Sequence, residues 1–225
     1  MAGINAPQAA KGDRRSTKKR PSPPPEPVVV LGLGNPGEQY QGTRHNLGAR
    51  VVQELARRHG LELRRGGLRT RKLNSLWAKG IVAGRGVIAA LPLTYMNRSG
   101  LAAAAILSYF DLEPTHLVVA HDDLDLELGR IKVARKGGAA GHRGVLSIQQ
   151  ALGTERFIRL KLGIGRPRHQ EAIEEYVLQG FYADQRSLLE QTVELAADCL
   201  EVIVGQGPQE AMQRFHRDQQ REVKG

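Results

Sequence analysis

Residues 28–48 read VVVLGLGNPGEQYQGTRHNLG, and the parsing of that stretch decides the fold. Val28, Val29, Val30 and Leu31 form a short apolar run, β-branched at its first three positions, which predicts a buried strand. Glycines 32, 34 and 37 open a loop that closes on Thr43, Arg44, His45 and Asn46. Beyond it Leu47, Val51, Val52, Leu55 and Ala56 recur at helical spacing, so a helix is predicted over 46–59. His45 thus falls at the mouth of a helix and beside the carboxyl end of a strand. Open α/β sheets bind their ligands at such places.

Working outward, alternating segments at 76–82 and 87–91 are joined by Ala83-Gly84-Arg85-Gly86, a link short enough to require an antiparallel pair. An alanine-rich helix is predicted over 100–110. A strand over 116–120 then runs straight into His121-Asp122-Asp123. A strand near 130–134, a glycine-rich loop over 137–144, a helix over 145–152 and a strand over 157–163 come next. Helical periodicity at 172–177, 187–204 and 209–216 completes the chain, with Gly205-Gln206-Gly207-Pro208 as a stop-and-restart signal. The expected fold is a single-domain three-layer α/β/α architecture with a central mixed sheet over 28–218, followed by a tail at 219–225.

At 225 residues and 40% hydrophobic composition, one sizeable core is expected. The formal charge of +10 points to a polyanionic partner, nucleic acid ahead of an anionic membrane. Residues 1–27 hold six cations against two acids, so +4 of the excess lies there and +6 in the remainder. That stretch also contains Pro21, Pro23, Pro24, Pro25 and Pro27, and reads as a disordered basic arm. It is either a solvated extension or a non-specific RNA contact. An aromatic content of 4% disfavours a broad base-stacking platform. Cys199 falls in an apolar helical pattern and is expected to be a buried, reduced thiol, which leaves no disulfide framework. The apolar runs are too short to span a bilayer, so a cytoplasmic protein is expected.

Gly32-Leu33-Gly34-Asn35-Pro36-Gly37 matches GxGxxG, but a dinucleotide site needs a helix opening at the third glycine and an acid at the end of the next strand. Neither is present. Three polar clusters, 43–46, 95–97 and 121–123, instead follow predicted strands directly or by a short loop, so strand carboxyl ends are expected to bring them together. The chain has no GxSxG elbow and no acid near His45 in sequence, so water is the expected nucleophile. A histidine base held in one tautomer by an aspartate fits this set, with Asn35 and Asn97 as donors to a developing oxyanion. His45, His121, His142, Asp122 and Asp123 lack zinc-site spacing, and neither metal nor cofactor is expected. Lys132, Arg135 and Lys136 lead into the glycine-rich loop, and Arg143, Lys161, Arg166 and Arg168 lie in or beside strand ends. Such residues suit phosphate contacts.

From Val28 to Arg214 the motifs GLGNPG with Tyr40 and TRHN, PLTYMNRSG, HDDLDL with Gly129, GGAAGHRG and LGIGRP follow in order. In this the chain resembles bacterial-type peptidyl-tRNA hydrolase. The resemblance implies hydrolysis of the ester that joins a peptide to the 3′ ribose of tRNA, with His45 as base, Asp122 supporting a histidine, and Asn35 favouring N-blocked substrates. It also implies that Tyr40, Tyr95, Met96 and Asn97 line the peptide and 3′-end cleft, and that the protein is a monomer. A non-hydrolytic RNA-binding relative of the same fold, of the kind recruited in splicing, is the alternative. One position departs from the family pattern: Arg143 stands where the motif commonly has asparagine. Arginine cannot accept a hydrogen bond, but it can donate to a phosphate or an oxyanion.

Overall fold

The structure is a computed structural model that describes residues 26–221. The basic arm read over 1–27 therefore lies almost wholly outside the described residues, as does 222–225. Strand β1 (Val28–Gly32) is buried at every position, as a strand covered on both faces must be. Its side chains alternate between two cores. Val28 and Val30 face helices α1 (Leu47–Arg58), α5 (Arg186–Gln206) and α6 (Pro208–Arg221), whereas Val29 and Leu31 face α2 (Ser99–Phe110) and α3 (Arg143–Leu152). The three layers expected from the sequence are present.

The remaining strands are β2 (Arg64–Arg65), β3 (Ser75–Val82), β4 (Arg85–Pro92), β5 (Leu117–Asp123), β6 (Ile131–Ala134) and β7 (Ile158–Gly163). They form one mixed seven-stranded sheet in the order β2-β3-β4-β1-β5-β7-β6. β1 lies parallel to both β4 and β5, and β5 to β7, while β2–β3, β3–β4 and β6–β7 are antiparallel. After β1 the chain turns towards the β4 side, and after β5 it turns towards the β7 side. The adjacent carboxyl ends of β1 and β5 therefore part their loops and leave a crevice.

The first helical turn of α1 is drawn tightly onto that crevice. The Leu33 amide donates to the Ala120 carbonyl at 3.0 Å, and the Ala49 amide to the Leu33 carbonyl at 2.9 Å. A Cβ on Gly48 would stand 2.2 Å from the Ala120 carbonyl oxygen, closer than any side chain tolerates. Glycine here sets the distance between helix and sheet, and with it the placement of the turn Arg44–Asn46 just before the helix.

Some boundaries differ from expectation. α3 opens at Arg143, two residues early, because His142 caps it. α6 runs through Arg221, three residues into the stretch read as a tail. The two-residue strand β2 carries no alternation by which a sequence pattern is recognised. Cys199 is buried within α5. Among the described residues no helix is long and apolar enough to cross a membrane. Gly48→Ala is expected to lower stability by about 1–3 kcal/mol through overpacking, read as a lower urea midpoint with an unchanged m-value.

Candidate active site

The crevice is an open cleft of about 890 Å³. His45, Asp122, Asn35, Tyr95, Met96, Asn97 and Arg143 all line it, so the loops after β1, β4 and β5 do meet as the sequence implies. Tyr40 does not line it. It sits half-buried in the turn Glu38–Tyr40, and its carbonyl accepts from the Thr43 hydroxyl at 2.8 Å, so what it gives the site is backbone support for the His45 loop. Lys132, Arg135 and Lys136 are also absent from the cleft lining. β6 runs antiparallel to β7, which carries Arg135 and Lys136 away from the carboxyl-end rim, and Lys132 lies exposed on the edge strand.

Asn46 fixes the glycine loop. Its side chain accepts from the Asn35 amide at 2.8 Å and donates to the Asn35 carbonyl at 2.9 Å. The Asn35 side-chain oxygen in turn accepts from the Met96 amide at 2.8 Å. That bond settles which way the Asn35 amide points, and it leaves the NH₂ group as a donor at the cleft. Met96 itself packs into the core, so its contribution is the main-chain N–H.

The histidines can be assigned protons by elimination. His142 caps α3: its Nδ1 accepts from the Gly144 and Val145 amides at 3.1 and 3.3 Å. Nδ1 must then be bare, and the proton lies on Nε2, which donates to Asp122 Oδ1 at 2.9 Å. His45 Nδ1 lies 3.0 Å from both Asp122 oxygens and donates to that carboxylate. The lone pair of His45 is consequently on Nε2. His121 Nδ1 donates to the Asp122 carbonyl at 2.7 Å, and its buried Nε2 has no hydrogen-bond partner among the described residues.

Burial alone would raise the Asp122 carboxyl, but the His45 and His142 imidazoles that face and bond it outweigh burial and hold it well below the usual carboxylate range. Burial, reinforced by the neighbouring His142, pushes His121 down to about 3, so it is neutral. His45, Asp122 and His142 present ligand atoms within 4.8 Å of one another, close enough to be considered for a metal. The donor set fits poorly. A metal on His142 Nε2 would move its proton to Nδ1, against two backbone N–H groups that already point there.

The outer side of the cleft comes from a segment whose apolar pattern did not single it out. Ile173, Glu174, Val177 and Leu178, in or beside α4 (Ile173–Leu178), face the histidines across the opening. Arg44 fastens this segment to the His45 loop. Its guanidinium is fully buried, 3.9 Å from the Tyr176 ring centroid and 4.6 Å from that of Tyr182, and Nη1 donates to the Tyr176 carbonyl at 3.0 Å. The Arg44 amide donates to the Gln179 carbonyl. Arg143 stands exposed at the rim, 3.4 Å from Glu174.

Among the described residues, none of those lining the cleft is a serine, threonine, cysteine or lysine. Cys199 lies elsewhere in α5, where burial pushes its thiol up to about 12. The site is therefore equipped to polarise water: a carboxylate-oriented imidazole at the switch point of an open α/β sheet, with amide donors beside it. Residues 29–223 match the family model described as peptidyl-tRNA hydrolase. A peptidyl-tRNA hydrolase of Carboxydothermus hydrogenoformans is 45% identical over 84% of this chain and 98% of its own, and that of Bacillus subtilis is 38% identical over the same shares. The crystal structure of the Acinetobacter baumannii enzyme superposes with a TM-score of 0.77 at 32% identity, covering 84% of this chain and 94% of that one. The chain belongs to the peptidyl-tRNA hydrolase family.

His121 gives the site a pH signature. The unfolded chain protonates this histidine near pH 6.5, whereas the folded one resists down to about pH 3. Stability is present in full above 6.5 and falls as pH drops through that window. His121→Asn should flatten the decline between pH 6.5 and 4.5 by on the order of 2 kcal/mol relative to the parent, measured by urea unfolding at each pH.

Proposed function

We propose that this protein hydrolyses the ester between a peptidyl group and the 3′-terminal ribose of tRNA, releasing peptide and reusable tRNA from stalled translation. Family membership supports the reaction. The observation that carries its assignment to these residues is the His45–Asp122 pair, which commits Nδ1 and leaves Nε2 as a base at the cleft.

Water is the nucleophile. His45 Nε2 takes its proton as the oxygen attacks the ester carbonyl, and Asp122 stabilises the imidazolium that results. The amide groups of Asn35 and Asn97 donate to the oxyanion. Collapse breaks the bond to the ribose 3′ oxygen, which recovers the proton from His45, leaving a free 3′ hydroxyl and a peptide carboxylic acid that releases its proton to solvent. Asn35 also accounts for a preference for blocked substrates. An N-acyl group offers a carbonyl that accepts from its NH₂, whereas a free α-ammonium is itself a donor and gains nothing there.

Tyr95 and Asn97 hold the peptide and 3′ end, with Met96 acting through its amide. Arg143 takes a tRNA-end or carbonyl contact, and Lys132, Arg135 and Lys136 touch the RNA backbone outside the cleft. The protein acts as a monomer, as the family resemblance implies, and a substrate made at ribosomes fits a cytoplasmic enzyme. The non-hydrolytic RNA-binding reading is disfavoured by the completeness of His45, Asp122, Asn35 and Asn97.

His45→Ala is expected to slow hydrolysis of N-acetyl-aminoacyl-tRNA by about 10²–10⁴-fold while tRNA binding is retained. The parent should spare unblocked aminoacyl-tRNA and be indifferent to chelator. Residual turnover in the variant near the parental rate would remove His45 from the base role. Arg143→Ala should weaken substrate use, seen in KM or turnover. An unchanged variant on both measures would leave Arg143 without a role.

A further inference from the structure

The catalytic cleft does not account for the densest run of unpaired cations on the carboxyl-end rim. Residues 64–73 contain Arg64, Arg65, Arg69, Arg71 and Lys72 and no acid, and all five are exposed. Three other cations near this rim do have carboxylates beside them: Arg143 with Glu174, Arg166 with Asp125, Lys161 with Asp123. Here Arg64 alone meets one, Glu62. Lys72 lies 5.9 Å from the Tyr109 ring, and no described carboxylate pairs with Arg65, Arg69 or Arg71. Like charges gathered in this way repel one another, and an anion relieves that repulsion.

The segment is also anchored where the cleft is. Ser75, the first residue of β3, pairs with Pro92, the last of β4. Since β4 is parallel to β1, the loop before β3 stands at the same sheet end as His45. The Leu93 amide donates to the Asn74 carbonyl at 2.7 Å, and Leu73 is fully buried, so the carboxyl end of the 3₁₀ turn Arg71–Leu73 is tied down. From there the chain passes through Tyr95 and Asn97 to Arg98, another exposed cation, which lines the cleft.

We propose that residues 65–72 form a second RNA-binding surface, which takes backbone phosphates of the tRNA body while its 3′ end occupies the cleft. This rests on the function proposed above. The segment has no aromatic side chain, so it is built for phosphates and not for stacked bases. Its exposed apolar content is the single Leu68, too little for a lipid-binding face.

The test compares Arg69→Gln/Arg71→Gln/Lys72→Gln with the parent on two esters: full-length N-acetyl-aminoacyl-tRNA, and the same ester on a CCA trinucleotide. These side chains are exposed, and an unchanged thermal midpoint verifies the fold. The expected result is a rise of about tenfold in the Kd for tRNA at physiological salt, with the slope of log K against log salt smaller by about 2–3. Full-length substrate should lose about tenfold in kcat/KM relative to the trinucleotide ester. Unchanged tRNA affinity and salt slope would overturn the proposal, as would equal losses on both esters. So would a loss of binding to phosphatidylserine vesicles with tRNA affinity intact. A parent that hydrolyses neither ester would sink the enzymatic reading instead, and the tRNA Kd would still judge the surface.

Discussion

The site depends on one carboxylate receiving two imidazole protons. Asp122 accepts from His45 Nδ1 and from His142 Nε2, and neither bond alone would define the centre. The helix cap fixes the proton of His142; that proton and the one from His45 keep Asp122 ionised despite its burial. Asp122 in turn keeps the His45 lone pair on the outward nitrogen. A buried charge is costly unless hydrogen bonds surround it, and here the surrounding bonds are the same ones that prepare the base.

The architecture supplies this carboxylate by topology. Asp122 is the penultimate residue of a strand buried at all seven positions, and the helix bearing the His45 turn is pulled onto the same strand through Gly48. The opposing side of the cleft is attached by different means, a caged guanidinium and a few main-chain bonds. One side of the site is thus set by the sheet, and the other is fastened to it through Arg44.

Much of this was legible beforehand because strand ends announce themselves. An apolar run that breaks into His-Asp-Asp, or into a glycine loop closing on Arg-His-Asn, carries its polar cluster to the sheet edge whatever follows. His142 was harder to read. Histidine is an unusual N-cap, and its bond to Asp122 spans a loop of irregular backbone that no periodicity encodes. Ile173 and Val177 looked like any amphipathic face, since one apolar stripe serves a core and a cleft equally. Lys132, Arg135 and Lys136 read in the sequence as a phosphate-contact patch leading into the glycine-rich loop; that β6 runs against its neighbour, which sets them outside the cleft, is not written there. The cations between 64 and 72 escaped notice for a similar reason: only the Ser75–Pro92 register brings them to the working end of the sheet.

The cap made by His142 has a consequence for how the protein loses activity. Two amide hydrogens of α3 hold the imidazole in the tautomer that Asp122 requires. If the opening turn of that helix frays, His142 is released to place its proton on either nitrogen, and the orientation of His45 loses one of its supports. The protonic wiring of the centre is thus assembled in the same event as a helix terminus. Local fraying at residues 142–145 would disarm the enzyme while its sheet and both cores remain folded, which makes turnover a more sensitive gauge of that helix end than any measure of global unfolding.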